Sequence, residues 1–167
     1  MFKIFIMFVI SLLFIGCGVE KKPNVKSGMF QSVGEKEATL VQSGKEKRYC
    51  VKCGMDLVKY YKTSHTSTYK GKHYQYCSIH CLENHLGDGI TIKNPKVVDV
   101  ESLKLISVAD AYYVVGSKKR GTMSRVSKYA FLKYEMAKKF QSLYGGEIMN
   151  FNEAREKAME DFKHYRR

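Results

Sequence analysis

The 167-residue chain is poor in acid: 16 Asp and Glu stand against 29 Lys and Arg, for a formal net charge of +13. A balance that basic favours anionic partners, either nucleic acid or an anionic membrane surface. The chain also lacks a basic helix, an RNA-binding signature and the zinc-finger spacing of DNA readers, so no nucleic-acid partner is expected. No Ser-His-Asp arrangement, phosphate loop or paired-carboxylate site stands out, and the chain therefore reads as a non-enzyme. Long apolar runs are missing as well. The longest lies within residues 1–16 and has roughly a dozen residues, short of the about 20 needed to span a bilayer.

What that run does have is the length of a signal-peptide core after a single Lys3. It stops at Leu13-Phe14-Ile15-Gly16-Cys17, which resembles a bacterial lipobox. Gly16 is small enough for cleavage, and Cys17 would then take the lipid; Phe14 stands where Leu is usual. An uncleaved anchor helix is the alternative. Either reading places the rest of the chain on the periplasmic side of a bacterial membrane, held there through Cys17 in the first case. Residues 17–47 are polar and rich in Gly, Lys and Ser, which predicts a lipidated flexible tether, with a short strand near Ala38–Val41. Ordered structure is expected from about Arg48.

Beyond the tether the pattern is α+β: two small ββαβ modules in tandem, 48–106 and 107–167. In the first, Thr63–Tyr69 and His73–Cys77 are β-prone runs around Lys70-Gly71-Lys72, which suits a hairpin. Ser78 can cap a helix that runs to about Leu86 and ends at Gly87, and Val97–Val100 reads as a strand after Pro95. In the second, Tyr112–Gly116 and Met123–Leu132 are strands flanking a basic turn, Ser117–Gly121. A helix over about Lys133–Tyr144 puts Ala137, Phe140 and Tyr144 on one face. Glu147–Phe151 returns as a strand, and Asn152 caps a last helix with Ala154, Ala158, Phe162 and Tyr165 as its apolar stripe.

Metal-type side chains concentrate in the first module. After Cys17, four cysteines remain, spaced Cys50-x2-Cys53 and Cys77-x3-Cys81. A Cys-x2-Cys turn lets two sulfurs face one ion, and residues four apart on a helix share a face. A hairpin between the pairs would bring them together. Four convergent thiolates suit Cu(I) or, in a closed tetrahedral site, Zn(II); export also permits two structural disulfides. Cys81 falls in the first helical turn, where free backbone N–H groups favour thiolate, and Lys52, Lys59, Lys62, Lys70 and Lys72 are nearby in sequence. Met55 follows the knuckle, and a thioether prefers Cu(I) over Zn(II), although core packing would equally place a Met there. His85, four residues after Cys81, shares its face and is a candidate ligand. His80 is expected to be solvent-exposed, His65 and His73 to be surface strand residues, and His164 to be unrelated to the site.

Cys50-Val51-Lys52-Cys53-Gly54-Met55, then Tyr69 to Ser78, then Cys81, resemble the small heavy-metal-binding modules known as YHS or TRASH. The wider chain resembles the NosL family of nitrous-oxide-reductase accessory lipoproteins. That likeness rests on the lipobox, the Cys-Gly-Met knuckle, Asp110 to Ser117, Gly121-Thr122-Met123-Ser124, Ala130-Phe131, Ala137, Phe140 and Gly145-Gly146-Glu147. The resemblance implies two paired ββαβ modules and a periplasmic, membrane-anchored Cu(I) chaperone delivering copper to apo nitrous oxide reductase. It also makes Met123 a candidate soft ligand, because the family has a Met there. Two departures are visible. Cys77 and Cys81 make the site richer in sulfur than is typical, and Thr122 and Ser124 replace the Pro and Gly that commonly flank the Met. They leave another periplasmic copper acceptor open as the client. The alternative function is a lipoprotein with a structural or sensory Zn(II) or heavy-metal site. A thiol oxidoreductase using Cys50 and Cys53 fits poorly, because the flanking thioredoxin-like βαβ pattern is absent.

Overall fold

A computed structural model describes residues 28–165. The signal-peptide and lipobox readings, Cys17 and the first part of the tether lie outside the described residues, as do the side chains of Phe162, His164 and Tyr165. Two antiparallel sheets organise the chain. The first comprises β1 (His65–Tyr69), β2 (Lys72–Tyr76), β3 (Lys93–Val98) and β4 (Leu105–Ser107), in the order β2-β1-β3-β4. The second comprises β5 (Tyr112–Val115), β6 (Lys128–Phe131) and β7 (Glu147–Met149), in the order β6-β5-β7. Helix α1 (Ile79–Gly87) connects β2 to β3, α2 (Tyr134–Tyr144) connects β6 to β7, and α3 (Phe151–Tyr165) follows. Both halves therefore have the expected ββαβ layout, the first with β4 added.

The tight β1–β2 hairpin follows from Lys70 and Gly71, both at positive φ (46° and 74°), a conformation Gly adopts without a Cβ penalty. Strand β3 begins before Pro95 rather than after it. Its pairing with β1 shifts between Thr66 and Thr68, and at such a bulge a proline's missing donor is tolerated. The strand expected over Met123–Leu132 contracts to Lys128–Phe131. The capping residue of α3 is Asn150 rather than Asn152: its Oδ1 accepts from Glu153 N while Glu153 Oε2 accepts from Asn150 N. Ser78 does occupy the N-cap position of α1, but its hydroxyl makes no capping bond.

Three apolar clusters hold the fold. Ile79, Val97, Tyr113, Val115, Ala154 and Ala158 pack where the two modules meet. Val114, Tyr129, Phe131, Ala137 and Phe140 fill the second module. Leu57, Tyr76 and Leu82 pack with Cys50, Cys77 and Cys81 in the first. The sheets are joined by Val100 N donating to Ala130 O at 2.9 Å and Leu132 N donating to Asp99 Oδ1 at 3.1 Å.

Residues 28–47, read from sequence as tether, are packed. Phe30 inserts edge-on against Tyr129, with ring centroids 5.1 Å apart. Gln31 is buried, and its amide donates to Arg120 O at 2.6 Å. No strand forms at Ala38–Val41. The buried Gln75 amide takes over the role of a strand edge: Oε1 accepts from Val41 N and Nε2 donates to Thr39 O. Among the described residues no helix is long and apolar enough to cross a membrane.

Candidate metal centre

The knuckle is a closed turn. Cys50 N donates to Met55 O and Gly54 N to Cys50 O, both at 2.9 Å, while Gly54 sits at φ +72°. Asp56 secures its far side by accepting from Val58 N and pairing with Arg48 at 2.9 Å. Val51 N donates to Gln75 O, which docks the knuckle on β2. Cys77 follows directly after β2, its carbonyl accepting from the Thr63 hydroxyl at 2.8 Å, and Cys81 lies in the first turn of α1.

These elements bring all four thiols together: the sulfurs of Cys50, Cys53, Cys77 and Cys81 lie within 4.8 Å of one another. Cys77 Sγ is 3.5 Å from Cys53 Sγ, 3.7 Å from Cys81 Sγ and 3.9 Å from the Met55 thioether. A tetrahedron of sulfurs about 2.3 Å from a central ion has edges of roughly 3.8 Å, so the cluster already has the size of a thiolate coordination shell. All four cysteines are free, so the disulfide reading does not describe this state. Cys50, Cys77 and Cys81 are buried, Cys53 is exposed and Met55 is half-buried, so the cluster has a closed back and an open rim.

Protonation within the cluster is shared. Cys50 is driven well below the usual thiol range by S–H groups of Cys77 and Cys81, helped by the backbone N–H groups of Cys77 and Lys52 against the opposing effect of burial. Cys53 falls to about 7, chiefly through Cys77, with help from the Met55 N–H. Cys77 and Cys81 are pushed up, first by their hydrogen bonds to Cys50. The ammonium groups of the flanking lysines are not among the causes of these shifts. Lys52 pairs with Asp88 at 2.5 Å, and Lys62 lies over the Phe30 ring.

The remaining sequence candidates lie elsewhere. His85 is not among the grouped ligand atoms. Its Nδ1 is 2.9 Å from the Tyr76 hydroxyl, and its ring packs against Tyr74 and Tyr76, which makes it part of the wall beside the cluster. Met123 is exposed at φ +65° on the loop between β5 and β6. Contrary to expectation, His80 is buried, with Nε2 3.0 Å from Asp161 Oδ2. His65 is fully buried as well, with Nε2 3.1 Å from the Tyr113 hydroxyl. His73 is exposed on β2, as expected. Thr63, which links the Cys77 carbonyl to Thr122 Oγ1 at 2.8 Å, has no signal in the sequence, because both partners are remote along the chain.

Residues 41–159 match the family model described as NosL. The fold is similar to that in the crystal structure of the copper chaperone NosL from Shewanella denitrificans. The TM-score is 0.53 at 24% identity, over 67% of this chain and 92% of that one. No curated protein matches. With the family model covering most of its length, and with the paired ββαβ modules in place, the chain belongs to the NosL family.

Proposed function

We propose that this protein is a Cu(I) carrier and not an enzyme, anchored through Cys17 on the periplasmic side of a bacterial membrane. Its client is an apo-metalloenzyme, for which nitrous oxide reductase is our first candidate and another periplasmic copper acceptor the second. The observation that carries the reading is the arrangement of the sulfurs: three buried thiols, with exposed Cys53 and half-buried Met55 at the rim. A soft monovalent ion suits thiolate and thioether donors. A site open on one side lets an acceptor's ligands replace its own one at a time. Cys50, Cys53, Cys77 and Cys81 are the proposed ligands, with Met55 supplementary and Met123 a further soft candidate; His85 would need to move to take part. The copper chaperone from Shewanella denitrificans, which shares the fold, supports the cargo assignment.

A structural Zn(II) site is the second reading, favoured by sulfur–sulfur distances of 3.5 and 3.7 Å among four thiols within 4.8 Å of one another. Competition titration of the reduced protein with Cu(I) and Zn(II) under a chelator separates the two. The carrier reading expects strong Cu(I) preference, loss of tight binding in Cys77→Ser and weakening in Met55→Leu. Zinc preference with Met55→Leu silent, and unfolding of the first module on chelation, would establish the structural site instead. Transfer of bound copper to apo nitrous oxide reductase, followed by recovery of that enzyme's activity, tests the client.

A further inference from the structure

The basic turn between β5 and β6 takes no part in the sulfur cluster, yet it is the most cationic exposed stretch of the second module among the described residues. Lys118, Lys119, Arg120 and Arg125 fall within eight residues, with no acidic residue among them. Lys118, Arg120 and Arg125 are exposed, and none of the three is in an ion pair among the described residues. Arg120 and Arg125 flank a hollow of about 440 Å³ that is also lined by Gly121, Met123 and Ser124. Met123 is an apolar tip at this rim, 45% exposed and held at a positive φ that non-glycine residues rarely adopt.

The loop is built rather than loose. The carbonyl of Arg120 accepts from Tyr129 Oη and from Gln31 Nε2, both at 2.6 Å, and Thr122 Oγ1 is 2.8 Å from Thr63 Oγ1. Gly121 is required: a Cβ there would lie 2.6 Å from Ser124 O. The acid that bonds to the loop is otherwise engaged: Asp161 receives Lys128 Nζ at 2.7 Å beside Ser124 Oγ at 2.9 Å.

The loop also marks where the N-terminal part of the chain leaves the fold. Phe30 is clamped between the ammonium groups of Lys62 and Lys119, 4.6 and 5.0 Å from its ring, and Gln31 is bonded to the loop's own carbonyls. Ten residues separate Cys17 from Gly28, a reach of at most about 40 Å even fully extended. A membrane that holds Cys17 is therefore kept within reach of this face.

We propose that the 118–125 loop is a seat for anionic phospholipid headgroups, with Arg120 and Arg125 gripping the headgroup and Met123 entering the interface. The proposal rests on the membrane-tether part of the functional reading and not on the identity of the metal. It follows from the general need for a second signal beside one lipid chain, here a cluster of cations, to hold a protein firmly on a bilayer.

The test compares the full chain with its Lys118→Gln, Arg120→Gln, Arg125→Gln variant. Sedimentation is measured with phosphatidylcholine vesicles and with vesicles one-third phosphatidylglycerol, at low and high salt. The wild type should prefer the anionic vesicles by at least roughly tenfold at low salt, and both high salt and the triple variant should abolish the preference. Unchanged melting and metal titration show that the variant is folded. Equal binding to both vesicle types overturns the headgroup seat while leaving the tether intact. Binding to neither overturns both. A preference that survives the triple substitution places the attraction elsewhere and overturns the assignment. Loss of copper transfer in the variant without any lipid preference in the wild type would make the loop a docking face for an acidic protein, and the lipid proposal would fall.

Discussion

Asp161→Ala should be among the most damaging single changes outside the sulfur cluster. Asp161 Oδ2 lies 2.7 Å from Lys128 Nζ, 3.0 Å from His80 Nε2 and 2.9 Å from Ser124 Oγ. One carboxylate on α3 thus ties together α1, β6 and the loop preceding it. The Lys128 side chain is 3% exposed and that of Asp161 15%. Without Asp161, the ammonium keeps only the Val126 carbonyl, at 3.1 Å. Breaking a buried pair from one side costs about 3–5 kcal/mol. Partial access of water to Asp161, together with the depression of Lys128 by burial that already favours its neutral form, puts the expected loss near the lower end, about 3 kcal/mol. For a domain of this size that corresponds to a fall in Tm of about 10 °C. Adding Lys128→Met to Asp161→Ala removes the stranded charge and should recover at least about 2 kcal/mol. Urea and thermal unfolding of the wild type, both single variants and the double variant measure this directly. A loss below about 1 kcal/mol for Asp161→Ala, or no recovery in the double variant, would refute the account of Lys128 as a charge that needs its partner.

Acidification should weaken the fold through two histidines. Burial pushes His65 and His80 down to about 4, with the Lys128 charge adding to the effect at His80. Between the unperturbed value of about 6.5 and pH 4 the unfolded chain therefore binds more protons. Stability present above pH 6.5 is lost as the pH falls, by up to about 3 kcal/mol for each residue; denaturant midpoints at stepped pH check this, and a midpoint that rises on acidification would contradict it. Phe140→Ala empties a pocket shared with Phe30, Tyr129, Phe131 and Tyr144, and should cost about 3–5 kcal/mol in thermal unfolding. Gly121→Ala forces its Cβ against Ser124 O at 2.6 Å and Val126 O at 3.1 Å; a loss of about 1–3 kcal/mol is expected, read from the same melts. Cys53→Ser should speed release of bound copper to a competing chelator more than Cys81→Ser does, because Cys53 is the exposed member of the cluster; stopped-flow transfer measures the difference.

Much of the architecture was legible because its signals are local. The Lys70–Gly71 turn, the Ala137 and Phe140 stripe and the two cysteine spacings each act over a few residues. The convergence of four sulfurs could be read because one hairpin is enough to join the pairs. What escaped was set by distant partners. His65 meets Tyr113 and His80 meets Asp161, 48 and 81 positions away, so nothing near either histidine signals its burial. Residues 28–47 looked like tether because they have no apolar period. Their anchorage comes from Phe30, Gln31 and hydrogen bonds to the Gln75 amide, a kind of pairing that leaves no pattern in composition. Sequence proximity to lysines suggests long-range charge, whereas the lowering at Cys50 comes from groups in direct contact with its sulfur.

The second module supplies no sulfur to the cluster, yet it determines which side of the cluster can open. Thr63 binds the Cys77 carbonyl with one side of its hydroxyl and meets Thr122 with the other, so the backbone under Cys77 is braced by a loop of the second module. Cys81 belongs to α1, which is held against α3 by Arg155 and Glu83 and by His80 and Asp161. Cys77 and Cys81 are therefore fixed from behind through contacts that span the whole fold. Cys53 and Met55 sit on a turn whose backbone bonds are mostly internal, with Val51 N to Gln75 O and the Lys52–Asp88 pair tying it to the rest of the first module. Displacing the turn costs few tertiary contacts, whereas displacing Cys77 or Cys81 disrupts the packing between modules. An ion held by all of these sulfurs would be released first by Cys53 and Met55 and last by Cys77. Thr122 and Ser124, the two residues that replace the family's usual Pro and Gly, both hydrogen-bond into this brace. The substitutions that set this chain apart in sequence thus support the rigid side of the site.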